Sequence, residues 1–200
     1  NQGVSAARNK GLECMTGAFF CFLDADDVFL PRSVTSRLAI FKIDESIQFV
    51  DGVVERRSSD LRTILSTWRP NFTGNPFEDL VCLTGNSFVG LTWMIRRLPE
   101  RTYAFHKGMT HGEDLHFFLQ LAYLGGEYKS VNDTILWYRI QENSAMTNLQ
   151  GLEKGYGQLL ELLPNFKRLT SELMETYFQK VSSIMIKSYL RKFKPIDAVR

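Results

Sequence analysis

The sequence predicts an α/β fold: a sheet flanked by helices, followed by a helical segment that closes the chain. Three observations predict it. Ala18 to Leu23 is an unbroken apolar run of strand length that stops at the carboxylates Asp24, Asp26 and Asp27. Leu115, Phe118, Leu119, Ala122 and Tyr123 recur at the i, i+3, i+4, i+7, i+8 spacing of a helix. After Gly151 the pattern is helical to the end, broken at Pro164-Asn165.

In chain order, Ser5 is placed to cap a short helix through Ala6 to about Cys14, with Thr16-Gly17 as its stop. The apolar run follows. Such a run, ending at turn-type residues, suggests a strand covered on both faces in the middle of a parallel sheet. Ligand sites in open α/β sheets lie just beyond the carboxyl ends of strands, which is where the three acids stand. Asp-x-Asp suits a hard divalent cation that shares oxygen ligands with a phosphate; solvated loop acids are the plain alternative. Pro31 opens a second helix bearing Val34, Leu38 and Phe41. Ile47, Phe49 and Val53-Val54 suggest one or two strands.

Arg56 to Asn75 reads as a polar surface excursion, a place where binding specificity often sits. A short helix over 76–83, a strand over 88–95 and a loop over 99–112 follow. Glu113-Asp114 open the periodic helix behind Gly112, and Gly125-Gly126 end it. Acids in a first helical turn complement the macrodipole, so a cap is the simplest explanation; a Gly-rich loop feeding a buried helix favours a site. Ile135 to Tyr138 reads as a strand, followed by Arg139 and the polar run Gln141 to Ser144. In the tail, Tyr177, Val181, Ile184, Met185 and Tyr189 keep one apolar face, and Lys187 to Lys194 is basic. That end suits either solvent or an anionic membrane surface.

Composition sets outer bounds. A net charge of +2 gives no reason to invoke nucleic acid. Cys14, Cys21 and Cys82 are few and unpatterned, which fits a reducing cytoplasm better than a disulfide framework. No apolar run approaches the ~20 residues that cross a bilayer, and the amino end lacks signal-peptide character. The expected location is therefore cytoplasmic, with the basic tail allowing contact at the inner face of the membrane.

Three pieces now stand in order: Ala7-Arg8-Asn9-x-Gly11, Phe22-Leu23-Asp24-Ala25-Asp26-Asp27, and Gly112-Glu113-Asp114. Together they resemble the family 2 glycosyltransferases, inverting nucleotide-sugar-dependent enzymes with the GT-A fold, a mixed sheet flanked by helices. Asn1 to Ala6 and Tyr138-Arg139 with Asn143-Ser144 are similar to that family's flanking segments. The resemblance covers residues 1 to 150 as a partial catalytic domain and leaves 151 to 200 as a C-terminal helical extension.

The resemblance implies roles. Asp26 matches the acid that holds Mn²⁺ or Mg²⁺ on the nucleotide diphosphate. Asp24 matches the acid that contacts the ribose or assists the metal, with Asp27 behind them. Arg8, beside Asn9, matches the residue lining the nucleotide-sugar pocket; a salt bridge to an aspartate is its structural reading, and the two are compatible. Asp114 matches the general base, with Glu113 as the reserve candidate. Arg139 is placed to face the diphosphate. The implied partners are a nucleotide-diphospho-sugar donor and a carbohydrate or lipid-linked acceptor.

The chemistry accounts for these residue types. Breaking a sugar–diphosphate bond gives the leaving group negative charge, which a carboxylate-held metal stabilises. The attacking hydroxyl needs one base on the opposite face of the sugar. Burial would raise the pKa of Asp114 and the helix dipole would lower it.

The family's first βαβ portion, which supplies most of the base-binding pocket, is expected upstream of the residues seen here. The expectation is that these 200 residues alone transfer sugar poorly or not at all, and that an open sheet edge invites self-association. Two rivals remain. One is an inactive glycosyltransferase-fold binding or assembly module. The other is a haloacid-dehalogenase-like phosphohydrolase, which would need a downstream Lys and a Gly-Asp-x-x-x-Asp loop not found here.

Overall fold

A computed structural model describes residues 3–141 and 148–193. The predicted features at Asn1-Gln2, at 142–147 with Asn143-Ser144, and at Lys194 lie outside the described residues.

The sheet is built around β3 (Ile47–Arg57), whose residues from Phe49 to Val54 are all buried. It pairs in parallel with β6 (Glu127–Arg139) and antiparallel with β5 (Met94–Arg96) and with β4 (Ile64–Trp68). β1 (Phe19–Phe20) adds to β5, and β2 (Val28–Phe29) adds to β6, so the strand order is β1-β5-β3-β6-β2 with β4 beside β3. Side chains alternate across the pleat. Phe49 and Ile95 enter one core with Trp93, Phe117, Phe118 and Tyr128; Val50 and Met94 enter the other with Phe41 and Ile135. Gly52 lets β6 approach: a Cβ there would lie 2.6 Å from the Ile135 side chain.

Helix α2 (Ser33–Phe41) covers the second core, while α4 (Glu113–Tyr123) and α3 (Phe77–Val81) cover the first. Helix α1 (Val4–Cys14) lends Leu12 to that same core. Helices α5 (Leu149–Leu162) and α6 (Ser171–Phe193), joined through a 3-10 turn at Leu163–Asn165, add Leu159, Leu163, Phe166 and Tyr177 to it. Among the described residues, no helix is long and apolar enough to cross a membrane.

Beneath the sheet lies a buried polar knot. Asp51 accepts from the Thr92 hydroxyl (2.7 Å) and the Gly52 amide (2.8 Å), and the buried Arg37 donates to the carbonyls of Ser33 and Thr92. Burial pushes the Asp51 carboxyl up to about 7, against the pull of these donors and of Arg37.

Several expectations need correction. The run from Ala18 is not a central parallel strand: only Phe19–Phe20 pair, at the sheet edge and antiparallel to β5. Its apolarity comes from aromatic packing in two directions, Phe19 on Phe41 and Phe20 on Tyr103. Ser5 is not a cap; it sits inside α1, buried, and its hydroxyl has no hydrogen-bond partner. Val34 is exposed, because α2 buries Ser33, Arg37 and Phe41 instead. The strand expected over 88–95 begins only at Met94, and the excursion after Arg56 contains β4.

Candidate active site

Helix α1 presents Ser5, Arg8, Asn9 and Leu12 on one face, following the helical repeat. The Asn9 amide clamps the loop before α4 in both directions. It donates to the Phe105 carbonyl (3.0 Å) and accepts from the Phe105 amide (2.7 Å), so its hydrogen-bonding groups face the protein. The Arg8 guanidinium is a fork between two carboxylates: Nη2 meets Asp24 Oδ1 and Nη1 meets Glu113 Oε1, both at 2.9 Å. Only 13% of the Arg8 side chain and 11% of that of Glu113 are exposed, so water screens their pair weakly, whereas Asp24 remains 48% exposed.

The acidic loop is pinned at its far end by the last residues of β6. The Arg139 amide donates to Asp27 Oδ1 (2.9 Å), and Arg139 Nε donates to the Asp26 carbonyl (2.8 Å). Arg139 also donates through Nη1 to the Ser59 carbonyl, so its guanidinium ties backbone together. Gln141 donates to Asp26 Oδ2 (2.9 Å). Burial, and then the charges of Asp26 and Asp24, push Asp27 up to about 6 despite the Arg139 amide. Among the described residues no three His, Cys, Asp or Glu side chains converge as a metal cage. Asp24 and Asp26 nevertheless offer exposed carboxylate oxygens two positions apart. That donor set fits a hard cation completing its shell with diphosphate oxygens and water.

Gly112 takes a left-handed φ of 72° immediately before α4, which turns Glu113 toward Arg8 and leaves Asp114 on a cavity wall. Asp114 Oδ1 accepts from the Leu115 amide (2.7 Å). Burial and the neighbouring Glu113 charge outweigh that amide and Arg8, so the Asp114 carboxyl is raised to about 6.

Asp114 lines a cavity of about 360 Å³ together with Trp68, Phe88, Tyr156 and Ile184. A smaller cavity of about 30 Å³ is lined by Asp24, Asp27 and Tyr138. Arg56 and Val89 line both, so the acidic loop and Asp114 face adjoining spaces. Sequence reading missed Arg56, Trp68 and Tyr156. Arg56 at the end of a buried strand was the available signal; nothing local marks the other two.

The turn before α4 is held from behind by glycines. A Cβ on Gly155 of α5 would lie 2.4 Å from the His111 carbonyl, and one on Gly151 would lie 2.3 Å from the His111 ring. His116, near the start of α4, is buried; its Nδ1 lacks a partner, and burial pushes its pKa down to about 4.

Comparison with known proteins bears on the family and the fold. The profile of glycosyl transferase family 2 matches residues 1–103. Among solved structures, S. aureus TarS 1-349 superposes with a TM-score of 0.65 at 11% identity, covering 98% of this chain and 56% of that one. The complex of TarS 1-349 with UDP-GlcNAc gives 0.64 at 12% identity over 90% and 52%. The complex with UDP gives 0.62 at 13% over 90% and 51%. The chain therefore spans about half the length of these structures, and at such identities they establish its GT-A-like fold. With the family match covering 103 of 200 residues and the fold continuing into the carboxyl-terminal helices, the chain belongs to glycosyl transferase family 2.

Proposed function

We propose that this chain carries the diphosphate-handling and base-bearing part of an inverting glycosyltransferase that moves a sugar from a nucleoside-diphosphate sugar to an acceptor hydroxyl. The observation supporting this most directly is the Arg8 fork, which ties the acidic loop to Glu113 at the start of the helix bearing Asp114. TarS has been crystallised with UDP-GlcNAc and with UDP, and a UDP-sugar is the donor we assign here.

Asp114 is the base. Its carboxyl sits at about 6, so at neutral pH it is mostly ionised yet more basic than an ordinary aspartate. The acceptor oxygen bonds to the sugar C1 as its proton passes to Asp114. The bond from C1 to the diphosphate oxygen breaks on the opposite face, and the electron pair leaves with the diphosphate. A single displacement inverts C1; a retaining route would need a carboxylate nucleophile, and Glu113 is turned toward Arg8 instead. Asp26 and Asp24 would hold Mn²⁺ or Mg²⁺, which supplies charge stabilisation to the departing diphosphate. Arg8 fixes the acidic loop relative to α4.

Calorimetry with UDP, with and without Mn²⁺, tests the assignment. Binding should require the metal and weaken at least tenfold in Asp26→Ala. Equal affinity in wild type and variant would remove the metal role of Asp26.

A further inference from the structure

The cavity beside Asp114 is built from distant parts of the chain: Trp68 ends β4, Phe88 precedes β5, Tyr156 lies on α5 and Ile184 on α6. Most of its polar groups are already engaged. Asp79 accepts from the Thr84 and Ser87 hydroxyls and the Ser87 amide. The Trp68 indole donates to the Gly85 carbonyl, and His111 contacts the Thr110 hydroxyl. Besides these, the polar residues of the lining are Asp114, Arg56 and Tyr156, and the rest of the wall is aliphatic, aromatic or glycine.

This chemistry discriminates between acceptors. A bare sugar or polyol entering the space would leave most of its hydroxyls desolvated and unpartnered, at roughly 1–3 kcal/mol each. An alkyl or aryl substituent loses nothing on leaving water and gains about 25 cal/mol per Å² of apolar surface. A volume of about 360 Å³ is at the small-ligand end of natural sites.

We infer that this cavity is an acceptor subsite, and that it takes a hydroxyl-bearing acceptor with an apolar alkyl or aryl group: the hydroxyl at Asp114, the apolar group against Trp68, Phe88 and Ile184. The inference rests on Asp114 as the base. It gives the two carboxyl-terminal helices a role in substrate choice, since Tyr156 and Ile184 belong to the lining.

The test compares phenyl β-D-glucopyranoside with methyl β-D-glucopyranoside by calorimetry on this chain. The phenyl compound should bind about tenfold more tightly or better, as expected for burying one aromatic ring. Ile184→Trp and Leu152→Trp each fill part of the cavity without touching the space beside Asp24, and each should bring the ratio below about two. Retained Mn²⁺-dependent UDP binding would show that these variants are folded. Equal binding of the two glucosides by the wild type, or a preference that survives both folded variants, overturns the subsite. A preference lost in both variants, with UDP binding unaffected by Asp26→Ala, would uphold the subsite and reject the metal assignment instead.

Discussion

The guanidinium of Arg8 meets the carboxylate of Glu113 at 2.9 Å, although 105 positions separate them in the chain. Both side chains are nearly buried, so neither charge has water to fall back on. Removing one member of such a pair costs about 3–5 kcal/mol, because its partner is left buried and uncompensated. Arg8→Ala should therefore lower the unfolding free energy measured in urea by several kcal/mol. Arg8→Ala/Glu113→Gln should lose clearly less than the sum of the single losses. Additive losses would show that the two residues are not energetically coupled.

The raised carboxyl of Asp114 has a measurable titration. Carbon-13 NMR of its side chain should give a midpoint near pH 6, and Glu113→Gln should move it down by removing a neighbouring negative charge. A family enzyme using this base should gain activity as pH rises through the same range. In an active enzyme that carries this site, Asp114→Asn should reduce transfer by about 10²–10⁴ while leaving UDP binding in place. A midpoint near 4 would contradict the desolvated setting.

Asp51 should imprint its own pH dependence on stability. Its carboxyl is near 7 in the fold and about 3.9 when unfolded, so between those values the native state holds a proton that the unfolded chain has released. The contribution is then a loss of stability as pH rises from about 4 to 7. His116 acts in the opposite sense over part of that range, because its pKa is lowered. Comparing Asp51→Asn with wild type cancels the histidine, and the variant should lose less stability than wild type between pH 5 and pH 8. Parallel profiles would count against a protonated Asp51.

Two glycines of α5 should respond oppositely to alanine. Gly157 has open space around it, so Gly157→Ala should stabilise the chain by up to ~1 kcal/mol through helix propensity. Gly155→Ala would push a methyl group to 2.4 Å from the His111 carbonyl and should cost about 1–3 kcal/mol. Thermal unfolding of the two variants is the check. Equal shifts would show that α5 is not packed tightly on the turn before α4.

Much of the candidate site, as a set of residues that the fold brings together, was legible because it depends on local signals. Asp24 and Asp26 stand at the end of an apolar run, and Glu113-Asp114 follow a glycine that must take a positive φ. The position of Arg8 was legible from its neighbours, and its fork contains the expected salt bridge to an aspartate, which is compatible with a place in the pocket. The sheet was harder. Ile64 and Leu65 of β4 are exposed, so their strand carries no buried alternation to detect. In the run from Ala18 the sequence shows apolarity but not what supplies it, and edge aromatics packing in two directions look like a strand covered by helices. The larger cavity was invisible for a different reason: its walls come from segments more than a hundred residues apart, and their meeting is a property of tertiary packing alone.

The Arg8 fork also bears on the order in which the molecule assembles. The β3–β4 hairpin closes over a few residues, whereas the fork spans 105 positions and the Gln141–Asp26 contact 115. Loop-closure entropy places such long-range contacts late in folding. A partly folded population would therefore have its helices and the β3–β4 hairpin while still lacking a joined site, and binding of a nucleotide would report completion of folding more sensitively than backbone circular dichroism.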